Sequence, residues 1–165
     1  MDKIEELLKD PKTDLQKQAL TDKSYKKMPN NQDCKINFEL ATYGDAILKC
    51  VLCKIYFERE DEDNFGFKGK LTEWKKQYES DEVLVKFIAR HYDILNFLNF
   101  DRDDTKKPHD YDYQGKNAKR RYKYIATAME ACIAAVYIEN GENEVIKIVK
   151  QWIEWIDKVT NSSDT

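Results

Sequence analysis

Glycine and proline are scarce in this chain of 165 residues, at 5 and 3. A β-sandwich or barrel turns about every ten residues and draws on both types to do so. Their scarcity, with long periodic apolar runs, predicts an all-α fold. Histidine occurs only at His91 and His109, and neither has a Ser or Cys arrangement that would make a nucleophile. The cysteines are Cys34, Cys50, Cys53 and Cys132. Cys50 and Cys53 have CxxC spacing, but no second Cys/His pair completes the four ligands of a zinc site. Buried, reduced thiols are expected, in a reducing, cytoplasmic compartment. Long uncharged apolar runs are also lacking. The longest apolar region, 40–57, contains Asp45, Lys49 and Lys54, so no membrane helix and no signal peptide are expected. Net charge is −3 with a pI near 5.5, so any nucleic-acid contact must rest on local charge.

What is present is helical patterning on an ordinary soluble composition, 41% hydrophobic and 36% charged. One domain over 1–165 is expected, with its core at about 13–159. Helices are predicted at 2–9, from a cap at Thr13 or Asp14, at 37–57, 71–78, 81–92 with Ser80 as N-cap, 122–139, and 142–159. Polar loops are expected at 30–33 and 58–64, a polar insertion at 101–113, and a frayed tail at 161–165. The last helix carries Val145, Val149, Trp152 and Ile156 on one stripe.

Two helices each place a lone carboxylate among small and apolar residues. Asp45 lies in LATYGDAIL (40–48), and Glu130 lies in ATAMEACIAA (126–135). A buried, unpaired carboxylate costs several kcal/mol or gives up its charge. Residues four apart share a helix face, so Ala41 and Asp45 align, with Gly44 beside them. Thr127, Glu130, Ala131 and Ala134 cluster in the same way. Gly and Ala allow close helix approach, which could bring both acids to one point, where a Mg²⁺ or Mn²⁺ ion would relieve their repulsion. The other reading of the same pattern is two separate acids, each hydrogen-bonded or reaching solvent.

The segment NFELATYGDAIL (37–48) resembles the signature helix of ribonuclease III domains, N-x-x-L-E-x-x-G-D-A-x-L. ALTDKSY (19–25) resembles that family's A-L-T-H-x-S-Y. GKLT (69–72) and SDE (80–82) resemble its G-x-L-[ST] and S-E-E stretches, and ATAMEA (126–131) resembles A-D-A-F-E-A. The order holds from about Leu15 to Ile153. This resemblance implies an all-α endonuclease domain that forms a homodimer through the signature helix and cuts double-stranded or structured RNA. Such RNA processing, with ribosomal RNA among the candidate substrates, leaves 5′-phosphate and 3′-hydroxyl ends. It also implies a Mg²⁺ site, with Mn²⁺ as a substitute, held by Asp45 and Glu130. The family's site has four carboxylates; here Ala41 replaces a glutamate and Thr127 an aspartate. Thr127 is left to hydrogen-bond a water at the ion. The Mini-III branch, which ends without a double-stranded-RNA-binding domain, also carries Ala and Thr there and has a G-R-N-A-K stretch like GKNAK (115–119). No separate RNA-binding domain is therefore expected.

Lys116, Asn117, Lys119, Arg120, Arg121 and Lys123 make the one dense basic segment. Cations at a helix start oppose the helix dipole, which favours a role for them as a phosphate-binding strip over a merely solvated surface. Duplex RNA is read by shape through phosphates and 2′-hydroxyls. The competing reading is a catalytically inactive relative kept for RNA binding or assembly, or one that works with a fully equipped partner.

Overall fold

The computed structural model describes residues 1–59 and 70–162. Its helices are α1 (Lys3–Lys9), α2 (Asp14–Ala19), α3 (Phe38–Arg59), α4 (Lys70–Glu79), α5 (Asp81–Val83), α6 (Arg90–Tyr92), α7 (Ala118–Asn140) and α8 (Glu142–Ser162). A π-helical stretch, Leu84–Ala89, joins α5 to α6, and 3₁₀ turns lie at Tyr25–Lys27 and Ile94–Asn96. Among the described residues there is no β-sheet, only an isolated bridge between Thr21 and Asn99. The fold is all-α, as the composition predicts. Among the described residues, no helix is long and apolar enough to cross a membrane.

Local chemistry sets the helix starts. The Asp2 carboxylate accepts from the backbone N–H of Ile4 and Glu5, and the Glu5 carboxylate accepts from the N–H of Asp2. This reciprocal capping box satisfies donors that the first turn leaves free. Thr13 caps α2 by accepting from Gln16 N–H, and Ser80 caps α5 by accepting from Val83 N–H. Gly141, at φ 85°, stops α7 and lets α8 begin at once.

Helix α7 is the central strut. Ile125, Ala126, Ala128, Met129 and residues 131–136 are all buried, so it is covered on nearly every side. Helices α1, α2, α3 and α8 and the π-helical stretch pack around it. Helix α8 adds Val145, Ile148, Val149, Trp152, Ile153 and Ile156 from one face. Each such burial stabilises by about 1.5–3 kcal/mol.

Four boundaries differ from expectation, one being the end of α8, which runs to Ser162 into the expected frayed tail. The 81–92 helix is continuous but wound wider over Leu84–Ala89, with Leu84, Val85, Ile88 and Ala89 on its buried side. Helix α7 starts at Ala118 rather than 122. Gly115 and Asn117 both adopt positive φ, and the Asn117 carbonyl accepts from the N–H groups of Arg120 and Arg121, so the first turn forms earlier. Helix α3 continues to Arg59, so positions 58 and 59 are helical; the rest of the expected acidic loop and the Phe65-Gly66-Phe67 segment lie outside the described residues, as do 163–165.

The insertion 101–113 is fastened at several points. Asp101 N–H donates to Ser24 Oγ at 2.9 Å, and the Lys107 ammonium lies 3.0 Å from the buried Asp22 carboxylate and over the Tyr124 ring. The Tyr124 hydroxyl donates to the Pro108 carbonyl. The Tyr111 hydroxyl accepts from Leu95 N–H and donates to Asp93, while the Tyr122 hydroxyl donates to Asp110 at 2.5 Å. All four cysteines are free thiols, but only Cys132 is buried; Cys34 and Cys53 are half-buried and Cys50 is exposed. The expectation of burial fails for Cys50 and Cys53, which lie at the surface of α3 beside Lys54, Phe57 and Glu58. His91 stacks on Trp155, with ring centroids 3.7 Å apart.

Candidate functional site

The site begins with a missing β-carbon. Where α3 crosses α7, a Cβ built on Gly44 would lie 1.7 Å from the Glu130 carbonyl oxygen and 3.3 Å from Ala134 N. No other residue allows this approach without main-chain movement. The crossing sets Asp45, the next residue on α3, and Glu130 on α7 into the wall of one cleft.

The cleft has a volume of about 670 Å³. Helix α3 contributes Thr42, Asp45 and Lys49, and the α4–α5 junction contributes Glu79, Ser80, Asp81 and Glu82. Helix α7 contributes Lys119, Lys123 and Glu130, and Tyr113 reaches in from the end of the insertion. Acids and lysines alternate across it. Lys49 Nζ lies 2.6 Å from Asp45 Oδ2. Lys123 Nζ lies 2.9 Å from Asp81 Oδ1 and 3.4 Å from Glu130 Oε1, bridging the two walls.

Burial pushes the Glu130 carboxyl up to about 7; the Lys123 ammonium opposes this, and the charges of Asp81 and Asp45 add to it. The Lys49 ammonium is raised above the ordinary lysine value by its hydrogen bond and charge pairing with Asp45, helped by Glu79 and Glu130. Burial lowers Lys123, but hydrogen bonding to Asp81 and the charges of Glu130 and Asp81 outweigh it, so its net shift is upward. The five acids of this cleft face four lysines, Lys49, Lys76, Lys119 and Lys123, of which Lys49 and Lys123 pair with the acids directly.

Of the residues singled out in the sequence, Asp45 and Glu130 share this cleft. Ala41 is buried one turn before Asp45, and Thr127 is half-buried one turn before Glu130; neither lines the cleft. Among the described residues, no three His, Cys, Asp or Glu side chains converge closely enough to hold a metal ion by themselves. Lys116, Asn117, Lys119, Arg120 and Arg121 are exposed around the start of α7. Of these cations and Lys123, only Lys123 is ion-paired among the described residues. The first turn of α7 has no acid, so the strip's charge adds to the positive end of the helix dipole.

Sequence reasoning missed Lys49, Glu79 and Asp81 as parts of this cleft. Lys49 carried a signal, because it stands four residues after Asp45 on one helix face. Asp81 read only as a favourable acid in a first helical turn, and its approach to Glu130 depends on tertiary packing.

Comparison with known proteins agrees with this architecture. The nuclease domain of ribonuclease III from Campylobacter jejuni superposes with a TM-score of 0.68, covering 92% of this chain and 94% of that one at 22% identity, a likeness of fold. Ribonuclease 3 of Azotobacter vinelandii is 29% identical over 140 residues, 85% of this chain and 52% of the relative. Ribonuclease 3 of a Roseiflexus strain is 27% identical over 133 residues, 79% of this chain and 51% of the relative. The chain thus spans about half the length of the curated relatives it matches. A family model described as Ribonuclease-III-like matches residues 12–155, most of the helical core and both carboxylate helices, and the chain belongs to that family.

Proposed function

We propose that this protein is a divalent-metal-dependent endoribonuclease that cuts double-stranded or structured RNA, with Asp45 and Glu130 as the metal-binding and catalytic acids. The observation that carries the reading is the Gly44 crossing, which sets those two acids in one cleft beside an exposed basic strip. The donor set fits Mg²⁺ or Mn²⁺. Mg²⁺ is commonly held by one or two carboxylates, with waters and substrate phosphates completing its shell. Burial, with lesser repulsion from Asp81 and Asp45, raises the Glu130 pKa, and a divalent ion would favour its charged form against both. Such an ion, when bound, supplies charge stabilisation at phosphorus and a more acidic water for in-line attack.

The chain's own residues do the rest. Asp45 and Glu130 would hold the ion, and Thr127, one turn before Glu130 but outside the cleft lining, would bear on it only through a bridging water. Lys119 and Lys123 line the cleft and draw a phosphate toward the acids. Lys116, Asn117, Arg120 and Arg121 extend the contact along the RNA backbone. With Ala41 and Thr127 in place of carboxylates, fewer charged ligands meet the ion, so a higher Mg²⁺ requirement is expected than in four-carboxylate relatives.

The working unit is a homodimer. Tyr43, Ala46, Cys50, Cys53 and Phe57 follow one another at helical spacing on the outer face of α3, with Tyr43 and Phe57 47% and 52% exposed. A two-fold axis along this stripe covers it and presents two equivalent clefts to antiparallel strands. Ala46→Glu should shift the protein toward monomer in sedimentation velocity. The free thiols, including exposed Cys50, fit a reducing compartment such as the cytoplasm.

The deciding experiment is cleavage of a generic RNA duplex with Mg²⁺ or Mn²⁺, comparing wild type with Asp45→Ala and Glu130→Ala. Loss of cleavage in both variants supports the reading. No cut by purified dimer, or a cut indifferent to either acid, overturns it in favour of a binding or assembly role.

A further inference from the structure

The cation position beside Glu130 is already filled by the protein itself. Lys123 stands seven residues before Glu130 on α7, about two turns away on the same face. Its ammonium reaches back to Glu130 Oε1 at 3.4 Å and across to Asp81 Oδ1 at 2.9 Å. The Glu130 and Asp81 side chains are 7% and 14% exposed, while that of Lys123 is 48% exposed, so the flexible cation sits over two sheltered anions. The anchor on the far wall is firm, because Asp81 belongs to the first turn of α5, capped by Ser80. The shorter of the two contacts is the one to Asp81.

We infer that Lys123 is an internal counter-cation that competes with a divalent metal ion for Glu130, and that Asp81 is a positioning residue that draws Lys123 aside to let the ion bind. This rests on the reading that Asp45 and Glu130 hold the metal. An ammonium and a divalent ion cannot both sit against one carboxylate oxygen without strong repulsion. Entry of the ion therefore requires Lys123 to leave Glu130, and Asp81 gives its charge a partner when it does. In the metal-free protein the same lysine keeps Glu130, Asp81 and Asp45 from repelling one another unchecked. The cleft thus stays folded without metal, at the cost of metal affinity.

The test is Mn²⁺ binding to the purified, RNA-free protein, read by the electron paramagnetic resonance of free Mn²⁺, together with thermal melts in chelator and in Mn²⁺. The variants are Glu130→Gln, Lys123→Met, Asp81→Asn and the Lys123→Met/Asp81→Asn double variant. Met keeps the apolar stem of this surface lysine, and a Lys123→Gln variant checks that the result follows loss of charge. Glu130→Gln should abolish tight binding, which tests the metal reading on its own. Lys123→Met should tighten Mn²⁺ binding by roughly two- to fivefold, the range for a half-exposed ion pair. It should also lower the melting temperature in chelator and enlarge the gain on adding Mn²⁺. Asp81→Asn should weaken binding in the wild-type background and have little effect in the Lys123→Met background.

Lys123→Met and Lys123→Gln proteins that bind Mn²⁺ no more tightly than wild type overturn the competition. An Asp81→Asn loss of equal size in both backgrounds shows that Asp81 acts through its own charge, and overturns its positioning role. Mn²⁺ binding indifferent to Glu130→Gln, or no binding by any variant, overturns the metal reading and this inference with it.

Discussion

Gly44→Ala is the substitution that should expose most about how this site is built. Taken alone, α3 would gain from it, since Ala is favoured over Gly inside a helix by about 1 kcal/mol. The tertiary contact reverses that sign. The new methyl would lie 1.7 Å from the Glu130 carbonyl oxygen and 2.6 Å from its carbon, where ordinary contact begins at about 3.4 Å. Both atoms are main chain inside a helix, so no side-chain rotation relieves the overlap. The helices must part by roughly 2 Å, loosening the layer that holds Ala41, Leu48, Met129 and Ile133. Overpacking costs about 1–3 kcal/mol and voids of this kind about 2–5, so the net loss after the helix gain should be about 3 kcal/mol. For a chain of this size that lowers Tm by roughly 6–12 °C. Urea and thermal melts in chelator provide the measurement. At exposed Gln151 in α8 the same pair of residues should behave oppositely, with Ala about 1 kcal/mol more stable than Gly. A Gly44→Ala protein as stable as wild type, with unchanged Mn²⁺ affinity, would show that the helices do not meet this closely and that the two acids owe nothing to the crossing.

Three further outcomes are expected. Glu130 is raised to about 7 from 4.5, so the folded state binds its proton more tightly than the unfolded chain and stability falls as pH rises through that window. In chelator, Glu130→Gln should gain on wild type by about 3 kcal/mol between pH 4.5 and 8 in urea melts, and a flat difference would refute the burial of this charge. Lys107→Met strands the buried Asp22 carboxylate and should cost about 3 kcal/mol, with much of it recovered when Asp22→Leu is added; a neutral single variant would refute the pair. Replacing Lys116, Lys119, Arg120 and Arg121 with Gln should weaken duplex RNA binding, measured by fluorescence anisotropy. The slope of log affinity against log salt should fall by roughly one unit for each phosphate no longer neutralised. An unchanged slope would remove the strip from the RNA surface.

The helical class was legible because it depends on near neighbours, and each acid stood out against its own small, apolar helix. That the two share a cleft was one of two readings until α3 and α7 crossed at Gly44. Scarce turn residues and a 3.6-residue period point to helices whatever their partners. Gly44 beside Asp45, and small residues around Glu130, announce close packing on a single face. What stayed hidden depends on partners distant in sequence or on backbone signs that side chains do not advertise. The start of α7 is set by Asn117 at φ 66°, a conformation that a polar loop residue can adopt or avoid equally well. Asp81 and Lys123 meet only because α5 and α7 pack together.

The same limit bears on how departures from the family pattern should be weighed. Asp22 stands where the A-L-T-H-x-S-Y segment has histidine, and by itself it places an acid in a buried turn. In three dimensions it is matched by Lys107 from the insertion and by Ser24, so the departure comes with its own compensation far along the chain. Ala41 and Thr127 call for the same scrutiny. Their side chains remove two carboxylates from the usual positions, yet the opposite wall of the cleft brings Glu79, Asp81 and Glu82 toward Asp45 and Glu130. The acids at 81 and 82 match the family's S-E-E stretch, so they do not replace the two carboxylates lost at Ala41 and Thr127, and lysines 49 and 123 pair with those that remain. A cleft of this kind differs from a four-carboxylate site both in charge and in what stands beside its acids before metal arrives. The activity question therefore turns on how readily those ammoniums give way.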